Sequence, residues 1–169
     1  MRITVRRPSL LAPRLTSEVS GKILALALTF ALMPVATADD HRAGINYMIH
    51  CQGCHLPEAM GFAGKVPRMK DFVGYFLHSR EGREFIIRVP GVATSSLPDD
   101  ELTEMMNWLL RTYSADQLPK PFVPFSTEEV AELRPDLEAN PGQTRMRILE
   151  RIARDLPSLA VELEQESGR

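Results

Sequence analysis

Five consecutive residues, Cys51-Gln52-Gly53-Cys54-His55, carry the chemistry that can be read from this chain. Cysteines three apart put both thiols on the same side of a helical turn. Thiols so placed can add to the two vinyl groups of one porphyrin and hold it through thioethers. The adjacent histidine can then turn its imidazole beneath the macrocycle and ligate iron as the proximal ligand. Cys-x-x-Cys-His is the attachment signature of c-type haem. Two other uses of the pattern fit less well. A redox disulfide of thioredoxin type sits in a strand–helix setting that this sequence does not offer. A zinc site needs a second cysteine pair or a spaced histidine pair. Cys51 and Cys54 are the only cysteines of the 169-residue chain.

Covalent haem attachment in bacteria takes place after export, and the N-terminus offers an export signal. Arg2, Arg6, Arg7, Arg14 and Lys22 make a basic leader, followed by the uncharged apolar run 23–33 and the small residues Ala36-Thr37-Ala38. Residues 1–38 therefore read as a secretory signal peptide cleaved after Ala38. The apolar run is shorter than the ~20 residues of a bilayer span, so no membrane span is expected once the signal is removed. Arg6-Arg7 resembles a twin-arginine signal, but Pro8-Ser9-Leu10 suits that route poorly. The expected location is the periplasm.

The composition, 44% hydrophobic and 25% charged, is that of an ordinary soluble domain. The leader holds five of the 20 basic residues and one of the 22 acidic ones, leaving 15 against 21, a formal −6. That balance argues against nucleic acid as a partner. The charge is uneven: Lys65, Arg68, Lys70, Arg80, Arg83 and Arg88 face only Asp71, Glu81 and Glu84 over residues 62–90. Such a basic zone suits haem propionates, an acidic redox partner, or simply a solvated mixed surface.

The positioning elements are helical. Ala43, Tyr47 and Cys51 recur at intervals of four, which predicts a helix over 41–50 leading into the motif. Residues 58–70, with two glycines and a proline, read as a loop around one haem edge. A brief apolar turn is expected over 71–77, a short helix over 82–89, and a loop over 92–96. The strongest helix signal runs from Asp99, capped by Ser96 or Asp99, to about Thr112, with a stripe of Leu102, Met105, Met106, Leu109 and Leu110. After the proline-rich stretch 119–124, Ser126-Thr127-Glu128-Glu129 opens a short helix. Residues 144–156 form an amphipathic one, and the last ten are expected to fray. With no convincing strand series, the fold class is all-α. The expected organisation is a signal peptide (1–38), a haem domain (39–119), and a proline-rich linker with a helical extension (120–169).

Residues 41–113 resemble a class I-type monohaem cytochrome c. Three features carry the resemblance. Ala43 and Tyr47 stand eight and four residues before Cys51, where that family has a small residue and an aromatic. Pro67 stands twelve residues after His55, where a proline carbonyl holds the haem histidine, and Met69 falls where a core leucine is usual. Met105-Met106-Asn107-Trp108-Leu109 resembles the closing helix that crosses the first, with Trp108 meeting Tyr47. The resemblance implies a cytochrome c-like haem domain holding one haem c through Cys51 and Cys54, with His55 as proximal ligand and Pro67 and Trp108 beside the cofactor.

One departure stands out. The family takes its sixth iron ligand from a methionine in the loop before the closing helix, and residues 88–96 here contain none. Met60 and Met69 precede that stretch, Met105 and Met106 have core spacing, His50 adjoins Cys51, and His41 lies near the mature terminus. His78 is the best-placed candidate, the alternative being no protein ligand. The expected function is an electron carrier, not an enzyme, serving a periplasmic dehydrogenase or oxidase. The rival is an open haem that binds NO or CO or acts peroxidatically, with Arg88 or His78 assisting. A third reading makes the chain a subunit of a larger exported dehydrogenase.

Overall fold

The computed structural model describes residues 38–167; the expected signal peptide (1–38) lies outside the described residues except for Ala38, which opens the first helix. Among these residues the fold is all-α, and the only β pairing is the single bridge Phe62–Val66. Helix α1 (Ala38–His50) runs into the short α2 (Gln52–His55). A 3-10 turn (Val73–His78), α3 (Arg80–Arg88), α4 (Pro90–Ala93) and α5 (Asp99–Tyr113) follow. A second 3-10 turn (Ala115–Gln117) leads through the proline-rich stretch to α6 (Thr127–Leu133), α7 (Pro141–Ala153) and α8 (Pro157–Ser167). No helix among the described residues is long and apolar enough to cross a membrane.

α1 and α5 share the most extensive helix–helix contact. Ala43 and Tyr47 are buried at the crossing, and Gly44 lies so close to Trp108 that a Cβ there would stand 3.4 Å from the indole. Polar pairs rim the crossing: Asn46 Nδ2 donates to Glu101, Arg42 pairs with Glu104, and Arg111 with Asp40. The stripe anticipated on α5 is buried in full, with Leu102, Met105, Met106, Leu109 and Leu110 all at 3% exposure or less.

The boundaries differ from expectation in instructive ways. α5 starts after Pro98 without a side-chain cap, so Asp99 to Glu101 serve its positive end by charge alone. α3 ends at Arg88, close to the expected bound, but α4 takes up the start of the stretch read as loop: Pro90 opens it, because a proline's missing N–H costs nothing at a first helical position. Ser126 does cap α6, its Oγ accepting from the Glu129 N–H. α7 starts at Pro141 rather than Thr144. The C-terminal residues form α8 because Leu159 is wholly buried, whereas the sequence suggests a frayed end. Val130, Ile148, Leu149 and Ile152 join the same apolar cluster as α5, so α6 and α7 have buried their apolar faces.

Candidate functional site

The motif continues α1 across a slight break. Cys51 sits between the helices with φ −122° and ψ −37°, yet its N–H still donates to Tyr47 O at 2.9 Å and its carbonyl accepts from His55 N at 3.0 Å. Both thiols are free; Cys51 is half-buried and Cys54 exposed. Burial, and then the neighbouring Cys54, push the Cys51 thiol up to about 11. Cys51 Sγ lies 3.6 Å from Met105 Sδ on α5.

Two tyrosines fix the exit from the motif. Leu56, in the left-handed region at φ +66°, reverses the chain. Its carbonyl accepts from Tyr47 Oη at 2.6 Å, and the Pro57 carbonyl accepts from Tyr113 Oη at 2.7 Å. Burial raises the pKa of both phenols, so they remain protonated donors. Tyr47, Trp108 and Tyr113 form an aromatic cluster with centroids 5.3–5.8 Å apart. Tyr113 and its bond to Pro57 escape a sequence reading, since nothing local to either residue marks the pairing.

The loop after the motif folds back on it. Gly61 N–H donates to His55 O, Phe62 and Val66 pair, and Ala59 O accepts from both Met69 and Lys70. Gly61 has φ +61°, and a Cβ there would stand 2.3 Å from Val66 O and 2.8 Å from Pro67 O, so only glycine fits. The loop brings the Pro67 carbonyl to bear on the His55 ring. Burial lowers the imidazole pKa and the Pro67 carbonyl partly offsets this. The buried Nδ1 makes no hydrogen bond of regular geometry, so Pro67 acts as a polar neighbour rather than a tight partner. A neutral ring is therefore favoured. Beside the loop lies a cleft of about 790 Å³ lined by apolar Met60, Phe62 and Val66 and cationic Lys65, Arg68 and Arg145.

Other candidate positions lie apart from this arrangement. Trp108 is engaged at the α1–α5 crossing and does not line the cleft. His78 is exposed, with Nε2 2.9 Å from Gln117 O and its ring against Tyr75; it does not line the cleft either. Met69 packs against the core. Five of the six basic residues over 62–90 pair with carboxylates, three of these from the extension: Arg68 with Glu162, Arg83 with Glu129 and Arg88 with Asp136. Lys70 pairs with Glu58 and Arg80 with Glu84. The basic zone visible in the sequence is thus largely neutralised by contacts that the sequence does not display.

Comparison with known proteins covers about half of the chain. Cytochrome c-552 of Thermus thermophilus is 28% identical over 109 residues, covering 54% of this chain and 83% of that protein. The cytochrome c-552 of a second Thermus thermophilus strain is 28% identical over 109 residues, covering 74% of its length. The chain is thus distantly similar to these two cytochromes c-552. No family model matches it, and no solved structure does so significantly. The helical architecture of the described residues is consistent with a cytochrome c-like fold.

Proposed function

We propose that this protein is an exported c-type cytochrome that passes single electrons through one haem held by Cys51 and Cys54, with His55 as proximal ligand. The observation that carries the reading is the setting of His55. Burial favours its neutral ring, and the Pro67 carbonyl bears on it from a loop that Gly61 forces back. A neutral imidazole with Nδ1 turned toward protein offers Nε2 to a metal, and a nearby carbonyl favours that tautomer without fixing it. Bound haem would supply an iron cycling between the ferric and ferrous states. Cys51, wedged against Met105, and the exposed Cys54 would anchor the macrocycle from one helical turn.

The leader supports a periplasmic location, where the partner would be a dehydrogenase or oxidase. With the basic zone largely ion-paired, steering by long-range charge is weakened, and the partner would meet a surface of lower net field. The rival, an open haem binding NO or CO, is favoured by one observation: His78 Nε2 is already in hydrogen-bond contact with Gln117 O.

The test is expression with functional haem-maturation machinery. Pigment that stays with the denatured chain, and is lost when Cys51 and Cys54 are both replaced by alanine, supports the reading; a colourless wild-type polypeptide overturns it. Spectra of wild type and His78→Ala then separate the two forms. A low-spin haem that ignores CO is the carrier with a protein sixth ligand, and a high-spin ferric form that takes CO once reduced is the open one.

A further inference from the structure

Arg68 ties the loop beside His55 to the C-terminal helices. Its Nη2 donates to Glu162 Oε2 of α8 at 2.8 Å, and its guanidinium carbon lies 5.2 Å from the centroid of the Phe72 ring. Both partners have buried anchors: Phe72 is itself wholly buried, and Glu162 lies one helical turn after Leu159, also wholly buried. The guanidinium of Arg145 on α7 stands 4.9 Å from the same ring, so the loop, α7 and α8 converge there. The Arg68 and Glu162 side chains are 19% and 29% exposed, which leaves their charge-assisted hydrogen bond less screened than an open surface pair.

Arg68 also forms one end of the peptide unit that contains the Pro67 carbonyl. A peptide unit is planar, so that carbonyl turns with the Arg68 backbone. The residues on either side are pinned by backbone bonds: Val66 N–H donates to Phe62 O and Met69 N–H to Ala59 O, each at 2.8 Å. Among the described residues the Pro67 carbonyl accepts from no backbone N–H, and proline has none to give. The Arg68 side chain therefore supplies this peptide unit with a link to a buried part of the fold. The neighbouring His55 Nδ1 is buried without a hydrogen bond of regular geometry, so the carbonyl's action on the ring depends on how it is aimed. We propose, resting on the haem reading above, that Arg68 is a positioning residue through which α8 aims the Pro67 carbonyl at the His55 ring and so lowers the reduction potential of the iron. A carbonyl better aimed at Nδ1–H makes the imidazole a stronger donor, which favours the ferric state.

The experiment compares the full-length, haem-loaded wild type with Arg68→Gln, Arg68→Lys and Glu162→Gln. It reads the reduction potential and the hydrogen exchange of the Val66 and Met69 amides. Arg68→Gln and Glu162→Gln both break the tie, so both should raise the potential and speed exchange at those amides by about tenfold. Charge alone predicts shifts of opposite sign, since losing a cation favours ferric iron and losing an anion favours ferrous. Arg68→Lys keeps a charge for Glu162 and should move both readouts in the same direction by less. With Glu162→Gln, it keeps the test decisive if Arg68→Gln fails to fold. Shifts of opposite sign, or unchanged potentials in coloured, folded variants, overturn the inference and leave the haem reading standing. A wild-type chain without covalent haem overturns the haem reading and this inference with it.

Discussion

Cys51 Sγ lies 3.6 Å from Met105 Sδ across the α1–α5 crossing, so a site-bearing residue leans on a residue of the closing helix. Met105 is 1% exposed. Truncation in Met105→Ala leaves a cavity beside the thioether position and should cost about 2–5 kcal/mol. Thermal unfolding of the haem-loaded protein checks the loss. The haem should remain covalently attached, because neither cysteine is altered.

Gly61 governs the loop beside His55 through backbone geometry. Gly61→Ala would drive a Cβ into Val66 O and Pro67 O from a left-handed conformation that disfavours alanine. The expected cost is at least about 1–2 kcal/mol. Because Pro67 must move, the haem spectrum or the reduction potential should shift as well. A variant with a lowered melting temperature and an unperturbed spectrum would separate loop strain from any influence on His55.

Arg83 of α3 is joined to residues 123–129 by three kinds of contact. It pairs with Glu129, donates to the Val123 and Pro124 carbonyls, and lies 3.9 Å above the Phe125 ring. Arg83→Ala should destabilise the protein by about 2–3 kcal/mol, whereas Glu129→Gln should cost about 1 kcal/mol or less, since the pair is partly solvent-screened. Denaturant titration distinguishes them. Equal losses would mean that the ion pair, not the stacking and carbonyl contacts, dominates.

Glu58 and Lys70 give a pH dependence of known sign. The hydrogen bond and charge of Lys70 hold the Glu58 carboxyl below its ordinary value, and Glu58 raises Lys70 in turn. A carboxyl depressed in the folded state stabilises above its unfolded pKa of about 4.3, and the gain disappears as pH falls through the folded value. The raised lysine contributes below its unfolded pKa of about 10.4 and loses that contribution as pH rises through the folded value. Melting temperatures of Glu58→Gln should therefore fall less steeply than wild type below about pH 4.3. The difference should shrink in high salt, because both side chains lie at the surface.

The sequence by itself determined the local chemistry and most of the helices. The spacing of Cys51, Cys54 and His55 needs only one helical turn, and the Leu102 to Leu110 stripe needs only a 3.6-residue period, so both are properties of neighbouring residues. Tertiary structure decided what depends on residues far apart in the chain. Leu159 makes a helix of a tail that looks polar, because its burial, worth roughly 1.5–3 kcal/mol for a leucine, comes from partners elsewhere in the fold. Likewise the basic zone over 62–90 owes its countercharges to Glu129, Asp136 and Glu162, and Arg134 finds the carbonyls of Ala93, Ser95 and Leu97 about 40 positions earlier. Periodicity carries no information about pairings at such separations, since they exist only once the apolar faces of α6, α7 and α8 have closed onto the core.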